Sequence, residues 1–166
     1  MWVDMSFPGR LLIITPILML IGTATFIISD TLPELTSMMD VEMTSAYAIW
    51  CEAPKQYRYR TMLGIDTITL KDFWEINLNI KNIGKIPTTI QEIFINKKPV
   101  DDDVIVLTKK ADSSVYDALR IGIDPDESVT IIILITKVGG DFIHGNVIEI
   151  GVKLQTRQLN KLILLP

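Results

Sequence analysis

Few residues in this chain are of the kinds that do chemistry, and their spacing decides what they could do. There is one histidine, His144, in the loop GGDFIHGN, and one cysteine, Cys51. A Ser-His-Asp or Cys-His arrangement would have to use them. Neither a G-x-S-x-G elbow nor a nucleophile context around Cys51 is present. His144 reads as an exposed loop residue, and Cys51 as a small apolar filler, since a lone cysteine can form neither an internal disulfide nor a multi-thiolate metal site. Zinc needs several His or Cys ligands, more than the chain offers. Carboxylates crowd two turns, Asp101-Asp102-Asp103 and Asp124, Asp126, Glu127. An EF-hand loop counted from Asp124 would need Gly at Val129 and Glu at Ile135, so the match fails and these acids read as solvated turn residues. The G-x-x-x-x-G-K phosphate cradle is absent. No catalytic, cofactor or metal site emerges, and the expectation is a protein that is not an enzyme.

One further stretch, KQYRYR, alternates aromatic and basic residues, as nucleic-acid and sugar-binding surfaces do. Strand periodicity explains it more simply: Tyr57 and Tyr59 take one face, Arg58 and Arg60 the other. The net charge of −4 and a pI near 5.0 also argue against a nucleic-acid partner.

The elements that would carry a function are two. From Leu11 to Ser29 the chain runs without a charged residue, between Arg10 and Asp30. As a helix this run would extend about 28 Å, close to the hydrocarbon thickness of a bilayer. The start, MWVDMSFPG, has no basic residue and no Ala-x-Ala follows the run, so it does not read as a conventional cleaved signal. Arg10 before it and Asp30, Glu34, Asp40 and Glu42 after it orient the N-terminus inside and the rest of the chain outside. The residues expected to form this membrane or assembly helix are Leu11, Leu12, Ile13, Ile14, Pro16, Ile17, Leu18, Leu20, Ile21, Gly22, Ala24, Phe26, Ile27 and Ile28. Gly22 to Thr25 form a small-residue patch that another helix could approach closely.

The second element is a β-domain. In FWEINLNIKN, Trp74, Ile76, Leu78 and Ile80 alternate with Glu75, Asn77, Asn79 and Lys81, which predicts a strand with one core face and one wet face. TTIQEIFIN, VIVL, SVYDALRIG, SVTIIILIT, VIEIGVKLQT and KLILLP read as further strands, separated by Gly, Pro and Asp turn signals. Isoleucine, about one residue in six, adds a β-branched bias. The expected fold class is an N-terminal hydrophobic α-helix plus an all-β domain, an immunoglobulin-like β-sandwich. Its organisation would be the helix over 1–30, a stalk with the first extended segments over 31–64, and the sandwich head over 65–166.

An apolar N-terminal run, a stalk, and a β-domain with IKNIGKIPTTIQEIFI, PDESVTI and a closing Leu165-Pro166 together resemble the archaeal type IV pilin and archaellin group, whose heads are immunoglobulin-like. The resemblance covers nearly the whole chain and also extends to archaellar stator proteins. It implies a structural subunit of a cell-surface filament, membrane-inserted before assembly, whose apolar helices form the core and whose heads form the outer wall. The implied partner is the chain itself in a helical homo-polymer. An alternative is a membrane-anchored extracellular β-sandwich acting as stator, adhesin or envelope-binding module, with an envelope or S-layer protein as partner. Two departures stand out. The basic residue follows the glycine in Pro8-Gly9-Arg10, whereas prepilin processing expects it before. Asn77, Asn79, Asn82, Asn96, Asn146 and Asn160 all lack the Asn-x-Ser/Thr pattern of glycosylated filament proteins.

Overall fold

The alternating stretch FWEINLNIKN forms the central strand of the domain, β4 (Phe73–Asn82). A computed structural model describes residues 40–100, 104–117, 122–137, 139–155 and 157–166. Around β4 lie β1 (Val41–Cys51), β2 (Lys55–Thr61), β3 (Gly64–Leu70), β5 (Thr88–Ile95), β6 (Lys98–Pro99), β7 (Val104–Lys109), β8 (Val115–Tyr116), β9 (Gly122–Ile123), β10 (Ser128–Ile135), β11 (Val147–Leu154) and β12 (Gln158–Leu164).

The strands form two sheets. One runs β1-β4-β10-β7-β8-β2-β3, and the other β12-β11-β5-β6, with β9 pairing the start of β5. Neighbours are antiparallel except for β2 and β8, which touch in parallel at Arg60 and Tyr116. The two sheets share one apolar core. Trp74, Ile76, Leu78 and Ile80 of β4 and Val129, Ile131, Ile133 and Ile135 of β10 enter it from one side. Ile90, Ile93, Ile148, Ile150 and Val152 enter from the other. The isoleucine bias thus has a physical destination, since β-branched side chains pack well on a pleated, half-buried surface.

Two polar joints hold the turns, one buried and one exposed. Asn82 is fully buried, and its amide donates to the carbonyls of Ile86 and Ile123, each at 2.9 Å, while its Oδ1 accepts from the Gly84 amide. The asparagine of the IKNIG stretch therefore ties the β4–β5 turn to β9. In the DPDES turn the Glu127 amide donates to the Asp124 carbonyl at 3.0 Å, and the Glu127 carboxylate accepts from the Asp124 amide. The side chain that caps this turn is Glu127.

The expected class, a hydrophobic helix joined to an immunoglobulin-like β-sandwich, is corrected. The described chain is all β, with no helix among the described residues. Nor is any helix among them long and apolar enough to cross a membrane. The physical reason is that every long described segment has the period-2 or β-branched pattern of a strand and closes its backbone hydrogen bonds in a ladder. The helix expectation rested on residues 1–30, which lie outside the described residues. Residues 41–64, grouped by sequence with the stalk, form β1, β2 and the start of β3, all in the larger sheet. Of SVYDALRIG, expected as one strand, Val115 and Tyr116 form the short β8 and Gly122 begins β9.

Candidate functional site

The outer face of the larger sheet gathers most of the polar side chains that strand periodicity would send into water. β1, β4, β10 and β7 lie side by side, so opposed residues form rows. One row is Ile49, Glu75, Leu134 and Ile105; the next is Tyr47, Asn77, Ile132 and Leu107; the third is Ser45, Asn79, Thr130 and Lys109.

The β2–β3 hairpin lies over the β4, β10 and β7 members of the first two rows and leaves Tyr47 and Ile49 of β1 exposed. Its inner face carries Tyr57, Tyr59, Ile68 and Leu70, which pack with Phe73, Leu107, Ile132 and Leu134 into a second apolar cluster. Tyr57 meets Phe73 edge-on, with ring centroids 6.1 Å apart. Arg58 and Arg60 face outward, so the KQYRYR alternation is strand periodicity in the observed fold.

Beneath the hairpin Glu75 is only 5% exposed, at a position the alternation reads as wet. A buried carboxylate is costly unless its lone pairs are filled. Here they are. Oε2 accepts from the Lys55 ammonium and the Tyr57 hydroxyl, with the Cys51 thiol at 3.8 Å, and Oε1 accepts from the Asn77 amide at 3.0 Å. Burial pushes the Glu75 carboxyl up, but the hydrogen bonds from Lys55, Tyr57 and Asn77 and the Lys55 charge outweigh it, leaving the group below its ordinary value of 4.5. Burial, the hydrogen bond to Glu75 and its charge together drive the Tyr57 phenol far up. Burial and the Glu75 charge also raise the Cys51 thiol, against a smaller opposing pull from Lys55.

These directions define what the cluster can do. A thiol raised above its usual range is a poor nucleophile at neutral pH, and a carboxylate engaged by three donors is a poor base. The arrangement suits a clasp: Lys55 and Tyr57 come from the hairpin, Glu75 and Asn77 from the sheet beneath. Beside it a groove of about 420 Å³ is lined by Lys55, Asn77, Asn79, Lys109 and Thr130, among others. Its floor is internally bonded, with Asn79 donating to Ser45 Oγ at 2.6 Å and accepting from Thr130 Oγ1 at 2.7 Å.

The other residues singled out by sequence fall elsewhere. Trp74, Ile76, Leu78 and Ile80 are completely buried on the opposite, inner face of β4. Trp74 also donates from its indole nitrogen to the Phe142 carbonyl at 3.2 Å. His144 is exposed, yet its ring lies edge-on to Trp74 and Trp50 at 4.7 and 5.3 Å, and Nδ1 meets the Pro166 carbonyl oxygen. It lies on the opposite side of the sheet from the clasp, against the inner-face tryptophans. Asp126 and Glu127 pair with Lys81 and Lys110. No group of three or more potential metal ligands occurs among the described residues. Asp101 to Asp103 and the helix residues from Leu11 to Ile28 lie outside the described residues.

Sequence reasoning missed Glu75 and Asn77 as buried groups. The available signal was the hairpin itself, whose Lys55 and Tyr57 share a face and need a polar counterpart if that face is covered. Two apolar surfaces also went unread. Met62 and Leu63, the two turn residues of the hairpin, are fully exposed. On the other sheet Leu162, Leu164 and Val147 are more than half exposed, with Val147 directly opposite Leu164. No family model and no curated protein matches the chain.

Proposed function

We propose that this chain is a structural subunit of a cell-surface filament of the type IV pilus kind, with the β-domain as its outward head. The observation that carries the reading is the pair of unlike apolar surfaces on one domain, Met62–Leu63 at the hairpin turn and Val147, Leu162 and Leu164 on the smaller sheet. A contact between two different patches is heterologous, and when its rotation does not close it propagates as an open polymer. The uncharged run from Leu11 to Ser29 supports the same reading, because so apolar a segment must be covered by lipid or by other such segments. The partner is then the chain itself, with the membrane as the place it waits before assembly. Clasp and groove serve to hold the head rigid rather than to turn over a substrate.

Intact-mass spectrometry on two fractions of cells that make the protein tests this. The filament reading requires the chain to dominate the sheared extracellular fraction. Recovery only from detergent-solubilised membranes would instead make it a permanently anchored surface module, acting as stator, adhesin or envelope-binding domain.

A further inference from the structure

A β-sheet that stops leaves a row of unpaired backbone donors and acceptors, and folded proteins usually guard such edges with Lys, Pro, bulges or very short strands. Among the described residues the two sheets end in β1, β3 and β12 and, beside β5, in the two-residue β6 and β9, and these edges are guarded unequally. β6 is two residues long and consists of Lys98 and Pro99. β12 carries Lys161 within it. β1 has a register shift between Met43 and Ser45, but from Ser45 to Cys51 it is regular and holds no Lys or Pro. β3, GIDTITL, has no Lys, no Pro and no bulge, and holds seven residues in unbroken register with β2; its one charged residue, Asp66, lies opposite Tyr59.

The two stretches without Lys, Pro or bulge, β3 and Ser45–Cys51, are the opposite ends of the same seven-stranded sheet. They also match in length, at seven residues each. Each has an exposed apolar side chain on it or beside it: Ile65, with Met62 and Leu63 at the adjoining turn, on one, and Tyr47 and Ile49 on the other.

We infer that β3 of one copy pairs with the Ser45–Cys51 stretch of β1 in a second copy, so that the larger sheet continues from subunit to subunit. This rests on the filament reading and specifies the contact made at its Met62–Leu63 surface, the Val147, Leu162 and Leu164 surface belonging to a separate contact. Backbone hydrogen bonding along an edge supplies affinity and a fixed direction, as in other cases of strand addition. Because donor and acceptor edges differ, each subunit offers one of each, and the contact propagates. The apolar turn at Met62 and Leu63 lies beside the junction and is covered by the incoming copy. The clasp at Glu75 has a matching role, since it holds the hairpin whose free edge does the pairing.

The test uses the full chain. Thr69 is exposed on β3 and lies opposite the uncharged Gln56, so Thr69→Lys guards the edge without creating a like-charge pair. The expected result is at least a tenfold loss of pelletable polymer with an unchanged thermal unfolding temperature, while Gln158→Lys on β12 polymerises as wild type. In a second measurement, Ile65→Cys and Thr69→Cys are introduced separately beside the native Cys51, and assembled material is treated with a short thiol-to-thiol cross-linker. Pairing of β3 with β1 gives a ladder of multimers in at least one of the two proteins, and the ladder disappears when Cys51→Ser is added. Cross-linked dimers that persist without Cys51 would mean that β3 pairs with itself, which overturns the inference. Polymer formation by Thr69→Lys at the wild-type level overturns it too, with the filament reading intact. A wild-type chain that forms no polymer at all removes both.

Discussion

The two faces of β4 are stabilised by different physics. On the inner face Trp74, Ile76, Leu78 and Ile80 are removed from water by the opposite sheet, and their contribution scales with buried area and is indifferent to direction. On the outer face Glu75 and Asn77 are nearly as inaccessible, at 5% and 6% exposure, but they hold only because their donors and acceptors are matched. One strand thus carries a face that tolerates any well-fitting hydrocarbon and a face that depends on specific partners. Further along the outer face the hairpin no longer covers the strand, and Lys81 is partly exposed. The lesson is that the hairpin, rather than the alternation, decides which residues of the outer face behave as core.

Substitutions along β4 should separate these regimes. The largest effect is expected on the inner face, where Leu78→Ala leaves a cavity between the sheets and costs about 2–5 kcal/mol. Thermal unfolding of the detergent-solubilised full chain measures it as a fall in Tm. On the outer face Glu75→Ala strands the Tyr57 hydroxyl and the Asn77 amide. Lys55 is half exposed and recovers water, so the expected cost is smaller, about 1–3 kcal/mol. A larger loss than that of Leu78→Ala would break the comparison.

The pH dependence sharpens it. Folding lowers the Glu75 pKa, so the clasp contributes fully above the unfolded value near 4.5 and is lost as pH falls through the lower folded value. Wild type should therefore lose stability more steeply than Glu75→Gln once the pH drops below about 4.5, a difference that urea titrations at pH 3 and pH 7 would resolve. Further along the face, Asn79→Ala removes bonds to Ser45 and Thr130 and should cost roughly 0.5–1.5 kcal/mol by the same titration. Lys81→Ala, at the uncovered end, breaks a 3.8 Å contact to the largely exposed Asp126 and should change stability by no more than about 0.5 kcal/mol.

Much of the β-domain was legible in the sequence because alternation leaves a local trace. The inner residues of β4, the outward turn of Arg58 and Arg60, and the extended character of VIEIGVKL follow from period 2 alone. What could not be read were the consequences of non-local placement. Nothing near Glu75 in the chain shows that a hairpin begun twenty residues earlier folds across it. Likewise Asn82 looks like a turn residue, and its burial depends on β9, forty residues downstream. The exposed Met62 and Leu63 defeat periodicity for another reason: an apolar pair in a short run reads as core unless the turn that isolates it is recognised.

The central claim is that the clasped hairpin presents β3 as the joining edge of a self-assembling head. Segment-resolved hydrogen exchange on the full chain, compared between the assembled polymer and the detergent-solubilised subunit, tests it most directly. The account predicts that β3 amides and those of Ser45–Cys51 gain strong protection on assembly while β6 stays as it was. Unchanged exchange at β3 and at Ser45–Cys51 in the polymer would contradict it.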